Sequence, residues 1–192
     1  MAFVQDIEER LPPNQIDIEE FHVLSARGVP KADEKEWKLR LFGEVDEERV
    51  LSYRDIMSLP KSSIKADIHC VEGWSILDTE WEGISTDEIR RMLNIKDEAR
   101  FVIIHCAEGY TTNLPISDFF DKNTILAYAL NGRKLSAGQG YPLRLVVPKL
   151  YFWKSAKWVN EIEFSKEDRK GYWEQRGYHN HGDPWKEERF ND

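Results

Sequence analysis

The stretch Ile64-Lys65-Ala66-Asp67-Ile68-His69-Cys70-Val71-Glu72-Gly73-Trp74-Ser75 runs an apolar strand into a turn. Ile64 to His69 has the composition of a strand, and Gly73 supplies the turn that follows it. A cysteine that leaves a strand end for such a turn can point into a pocket. Taken alone, Cys70 reads as a small buried hydrophobe, because free cysteine is among the most buried residue types. A thiolate is also a natural ligand for a transition metal. No second cysteine or histidine stands at the C-x-x-C or H-x-x-x-H spacing of an all-protein zinc site. A metal held by one protein ligand implies an organic cofactor that supplies the others.

Outward from this stretch the sequence is rich in strand patterns. Trp37-Lys38-Leu39-Arg40-Leu41-Phe42-Gly43 alternates apolar and basic residues, the period of a half-buried strand. Further strands are expected from Phe101 to Cys106, Ile125 to Leu130, Leu143 to Val147 and Trp158 to Phe164, with Asn131-Gly132 as a hairpin turn. Ser52 is placed to cap a short helix through Met57 that Pro60 stops. Ser85 with Glu88 has capping-box spacing ahead of Ile89, Met92 and Leu93. Strands interrupted by short helices, without regular alternation, predict an α+β fold rather than a doubly wound nucleotide fold. Residues 1–35, with Pro12, Pro13, Gly28 and Pro30, read as an irregular arm packed on a single domain of residues 36–192.

Composition excludes several classes of function. At 192 residues with 41% hydrophobic content the chain can bury one core. A net charge of -8 with 32% charged residues argues against nucleic acid and anionic lipid as partners. The amino terminus lacks a basic start followed by an apolar run, and no run is long enough to span a membrane, so a cytoplasmic location is expected. Without export features, a disulfide between Cys70 and Cys106 is a weak reading.

A second string, Gly140-Tyr141-Pro142-Leu143-Arg144-Leu145-Val146-Val147-Pro148, is followed by Lys149, Lys154 and Lys157. Against an acidic background these cations are placed to hold a phosphate through charge-assisted hydrogen bonds. Lys149 and Lys154 taken singly read as solvated surface lysines. Arg144, inside an apolar strand, needs a partner if buried.

The His69 to Ser75 string, the Gly140 to Pro148 string and Lys154-Ser155-Ala156-Lys157-Trp158, in this order and spacing, resemble the molybdopterin-binding domain of the sulfite oxidase superfamily. The tail from Tyr172 to Trp185 is similar to the compact sulfite oxidase-like oxidoreductases of that superfamily, and the likeness runs from about Arg10 onward. The resemblance implies a mixed, β-rich, single-domain fold and a molybdenum-molybdopterin cofactor whose metal is bound by the Cys70 sulfur. It implies that Arg144, Ser155, Ala156 and Lys157 contact the pterin and its phosphate, with Gln139 where the family has His or Asn. His22, Ser25 and Ala26 fall where relatives wrap the pterin. Cys106 and Glu108 fall beside the cofactor, Cys106 as a pocket-lining thiol with service as a second metal ligand as the lesser alternative. Arg27 and Tyr110 lie where sulfite is bound in true sulfite oxidases, Tyr110 being taken as catalytic.

His69, His105, His179 and His181 are candidates to supply protons near neutral pH, with His105 taken as catalytic and structural roles as the plainer alternative for each. The implied activity is two-electron oxygen-atom transfer on a small sulfite- or sulfoxide-like substrate. With no haem string, iron-sulfur cysteine set or dinucleotide fingerprint in the chain, electrons are expected to pass to or from an external carrier. The alternatives are a molybdopterin carrier without turnover and a metal-free interaction protein.

Overall fold

The alternation at Trp37 to Gly43 becomes a strand whose Leu39 and Leu41 are fully buried while Arg40 and Phe42 face outward, the Arg40 guanidinium lying over the Phe42 ring. The computed structural model describes residues 7–20 and 24–191. One sheet contains β1 (Ile16–Asp17), β4 (Ser62–His69), β5 (Trp74–Ser85), β8 (Ile125–Leu130), β9 (Arg133–Lys134) and β10 (Arg144–Val146). The other contains β2 (Lys38–Gly43), β3 (Arg49–Ser52), β6 (Phe101–Cys106), β7 (Thr111–Pro115) and β11 (Val159–Ser165), in the order β3-β2-β11-β6-β7. Three short helices, α1 (Tyr53–Ser58), α2 (Thr86–Met92) and α3 (Ile116–Phe119), sit at strand ends among the described residues. This is the sheet-rich α+β architecture expected.

The longest strand, β5, is the seam of the first sheet. Along one edge it pairs antiparallel with β4, and along the other it pairs first with β1 and then with β8. All six residues of β8 are buried, because the sheet is covered on both faces. Leu126 and Tyr128 join the main core with Leu39, Leu41, Val102, Ile104 and Ile162 of the second sheet. Ile125, Ala127 and Leu130 instead join Ile68, Trp81 and Val146 on the opposite face. Cys70, Trp74 and Ile76 form a small third cluster with Phe152 against it.

Ser52 caps α1 as expected, and Asp55 completes a capping box. Ser85 caps α2 by accepting from the Asp87 N–H, but the expected reciprocal contact from Glu88 is replaced by an ion pair with Arg91. The Asn131-Gly132 turn is left-handed at both residues and joins β8 to β9. The strand expected from Trp158 begins one residue later, because Trp158 has φ of 54° and donates its indole N–H to Ala137 O at 2.8 Å. The amino-terminal residues are tied to the first sheet by β1 and by Arg10, which bonds Asp67 at 2.9 Å and Asp78 at 3.2 Å across a bulge in the β4–β5 pair. No helix among the described residues is long and apolar enough to cross a membrane.

Candidate functional site

Cys70 sits in the tight turn between β4 and β5. Its N–H donates to Trp74 O at 2.8 Å, and the Gly73 N–H donates to Cys70 O at 3.1 Å, closing a turn in which Gly73 takes φ of 96°. Gln15 reaches in from the amino-terminal segment and donates its amide N–H to Cys70 O at 3.0 Å. The Gln15 amide oxygen accepts from Ser75 Oγ at 3.2 Å, so Ser75 has spent its one proton and must accept from His69 Nδ1, 2.8 Å away. His69 therefore carries its proton on Nδ1, and burial holds its pKa down at about 4, which keeps it neutral. The chain Gln15–Ser75–His69 fixes the Cys70 carbonyl from behind. Burial pushes the Cys70 thiol up to about 11.

Cys70 lines a cavity of about 320 Å³, whose walls also include Trp81 and Leu130 of the first sheet. At its cationic part Arg144 is buried, with Nη1 donating to Gln139 O and Nη2 to Ser155 O, each at 2.9 Å. The guanidinium lies over the rings of Trp81 and Phe152. It has no carboxylate partner among the described residues, its Nε is without a hydrogen bond, and burial pushes its pKa down to about 9. Lys157 is drawn down to about 8 by burial and by the nearby Arg144 charge. Its Nζ donates to Leu24 O, and to Gly138 O at 3.3 Å. A Cβ on Gly140 would stand 3.0 Å from the Cβ atoms of both Arg144 and Lys157, so only glycine lets the two cations start side by side. The half-buried Glu108 faces the same cavity, and its Oε2 is shielded from solvent without a partner among the described residues.

The structure thus brings Cys70, Ser25, Ala26, Glu108, Tyr110, Gln139, Arg144, Ser155, Ala156 and Lys157 to one cavity. Some of these atoms are already engaged. Gln139 uses its amide oxygen to accept from Ser136 N, Ser155 Oγ accepts from Val147 N, and the Tyr110 hydroxyl donates to Trp153 O at 2.7 Å.

Other expected residues lie elsewhere. His105 is on the opposite side of β6, bonded to Glu163 at 3.0 Å and beside Phe42, so it does not reach the cavity. Cys106 belongs to the main core rather than the cavity wall. Lys149 pairs with Asp118 at 2.7 Å, and Lys154, far from being a solvated surface lysine, is fully buried against Glu174 at 2.7 Å. His181 is bonded at both ring nitrogens, to Asp118 and Glu188. His179 Nδ1 accepts two backbone N–H groups and so carries no proton there. His22 lies outside the described residues. Gln15 and the aromatic wall of Trp81, Trp153, Trp173 and Tyr178 were not expected; they arrive from distant segments, with no local pattern to mark them.

Among the described residues no group of three or more His, Cys, Asp or Glu side chains is arranged to hold a metal ion. A metal bound at Cys70 would take its remaining ligands from an organic group. Such a group, if it carries a phosphate, fits this cavity: among the described residues the buried Arg144 lacks a counter-charge and its Nε lacks a hydrogen bond, and Lys157 stands beside it.

Comparison with known proteins agrees. A family model described as the oxidoreductase molybdopterin binding domain matches residues 26–173. The uncharacterized oxidoreductase YuiH of Bacillus subtilis (strain 168) is 47% identical over 186 residues, covering 96% of this chain and 94% of that protein. The protein-methionine-sulfoxide reductase catalytic subunit MsrP of Campylobacter jejuni is 30% identical over 193 residues, covering 87% of this chain and 63% of the relative. The crystal structure of the sulfane dehydrogenase SoxCD from Paracoccus pantotrophus superposes with a TM-score of 0.67 at 20% identity, over 73% of this chain and 41% of that one, which shows a shared fold. The chain therefore belongs to the oxidoreductase molybdopterin binding domain family and is a sulfite oxidase-type oxidoreductase that binds the molybdenum-molybdopterin cofactor.

Proposed function

We propose that the cavity holds the cofactor with the Cys70 sulfur on the metal and with Arg144 and Lys157 at its phosphate, and that the protein moves an oxygen atom to or from a small sulfite- or sulfoxide-like substrate. One observation carries this reading: a single buried thiol and a buried guanidinium without a counter-charge line the same cavity. When bound, the cofactor supplies two-electron chemistry coupled to oxygen-atom transfer.

The protein's own residues supply the rest. Gln15, Ser75 and His69 hold the Cys70 turn in one geometry. The rings of Trp74, Trp81, Phe152, Trp153 and Trp158 keep water from the cavity walls. Tyr110 faces the substrate, its hydroxyl oriented by Trp153 O. The similarity to a methionine-sulfoxide reductase subunit supports a sulfoxide, and an external carrier exchanges the two electrons.

The test is elemental analysis of protein expressed in a host that makes molybdopterin, with Cys70→Ser alongside. Wild type should hold about one molybdenum per chain. The variant should keep its thermal stability while losing metal and dye-coupled turnover, because a hydroxyl oxygen is a harder and poorer ligand here than a thiolate. Metal content and activity equal to wild type in Cys70→Ser would sink the assignment.

A further inference from the structure

Among the described residues two carboxylates, Glu72 by the Cys70 turn and Glu108, share the cavity with the cations Arg144 and Lys157, and Glu108 is the one that acts on Lys157. It has not closed an ion pair with either cation, and Oε2 is shielded from water and unbonded among the described residues. The charged groups that act on it are Lys157 beside β11 and Arg27 of the amino-terminal segment, both of which favour its ionised form. Burial acts more strongly in the opposite direction and raises its pKa. Arg144 acts on Lys157, and Cys106 and Tyr110 are kept neutral by burial. An anion seated against Arg144 and Lys157 would share the cavity with this carboxylate. Two like charges cannot share such a space in low dielectric, and the weaker acid of the pair takes a proton.

We propose that Glu108 binds the anion as a neutral acid: when an oxyanion settles against Arg144 and Lys157, Glu108 takes one proton from solvent and its new O–H donates to the anion. The proposal deepens the reading of this cavity as an anionic cofactor site and rests on it. It gives the orphaned oxygen a partner, and it makes cofactor loading a proton-consuming step. No bond other than the O–H forms, and no electron moves. The consequence is a pH-dependent affinity: each unit of pH above the free Glu108 midpoint weakens anion binding by up to tenfold.

The probe is sulfate, which carries no titrating proton near neutral pH, added to the cofactor-free full chain. Calorimetric titration at about pH 6, in two buffers of different ionisation enthalpy, reads the protons taken up. At that pH Lys157 is already charged, because its pKa lies near 8. The expected result is net uptake in wild type and in Lys157→Arg, and none in Glu108→Gln, whose sulfate affinity should also lose its dependence on pH. An infrared difference spectrum of wild type should gain a protonated carboxyl band on adding sulfate, which tests the idea without any variant. Sulfate binding without proton uptake or carboxyl band overturns the proposal while leaving the cavity reading in place. Equal uptake in Glu108→Gln does the same. Failure of wild type to bind sulfate at all overturns both.

Discussion

Arg144 is costly for the cofactor-free protein, and the proposed phosphate site gives it a use in the loaded one. Its guanidinium is buried between two rings with two carbonyls for company, and burial without a counter-charge is unfavourable, as the fall of its pKa to about 9 reports. Replacing such a charge by a well-packed apolar side chain is often neutral or stabilising. Arg144→Met should therefore leave the cofactor-free protein within about 1 kcal/mol of wild type, the relief of desolvation offsetting the hydrogen bonds lost at Gln139 O and Ser155 O. Cofactor retention should fall, because a charge-assisted contact to phosphate contributes about 1.5–3 kcal/mol. Denaturant unfolding and pterin fluorescence of the purified variant read the two effects separately. A full complement of pterin would show that the phosphate lies elsewhere.

The short elements around the cavity are held by polar contacts that bridge distant parts of the chain. Lys154, in the 3-10 turn Phe152–Lys154, donates to Asn113 O on β7, to Asn180 O in the carboxy-terminal segment and to the Glu174 carboxylate. Glu174 also accepts from Thr112 and from the Trp153 indole, so Lys154→Met would strand a buried carboxylate. The expected loss is about 3–5 kcal/mol by equilibrium unfolding, with part recovered in Lys154→Met/Glu174→Gln. A loss below 1 kcal/mol would mean the pair is not buried as described. The same carboxy-terminal segment is stitched to α3 by His181, whose pKa is raised chiefly by donation to Asp118 and then to Glu188. A raised folded value means that this stabilisation is present below the ordinary histidine pKa, about 6.5, and is lost as pH climbs through the higher folded value. Thermal unfolding of wild type and His181→Gln should accordingly converge above neutral pH; a gap that widens with pH would contradict the bridge. The strands β2, β6 and β8 were legible because each sets a periodic face or a continuous apolar run against turn residues. The seam β5 was not, since Asp78 takes a left-handed φ of 56° at a bulge pinned by Arg10, and Gly83 lies where a Cβ would strike Leu126 O at 2.0 Å. Its period is broken twice by contacts from elsewhere. In the candidate site, Cys70, Arg144 and Lys157 stood in recognisable strings, whereas His105 was misjudged because one side of β6 faces the main core and the other faces Glu163 and Phe42, so neither side reaches the cavity.

For the molecule as a whole, charge bears on how electrons reach the site. The proposed oxygen-atom transfer moves two electrons per turnover, and under that proposal a second redox partner supplies or removes them. The chain carries 35 acidic against 27 basic residues, a net charge of -8. A carrier protein presenting a positive face would be drawn to it, and that attraction weakens as salt shortens the Debye length from about 30 Å at 0.01 M to about 8 Å at physiological ionic strength. A small uncharged dye feels little of this field. The expected outcome for metal-replete protein is steady-state turnover with dye that changes little with salt, and turnover with a cationic electron-carrier protein that falls steeply over the same range. With NADH or NADPH as sole partner, turnover should be absent, because no dinucleotide fingerprint occurs in the sequence. A carrier rate that rises with salt would reject the electrostatic docking, and sustained turnover with a nicotinamide alone would place a hydride-accepting site within this chain and reopen the route by which its electrons travel.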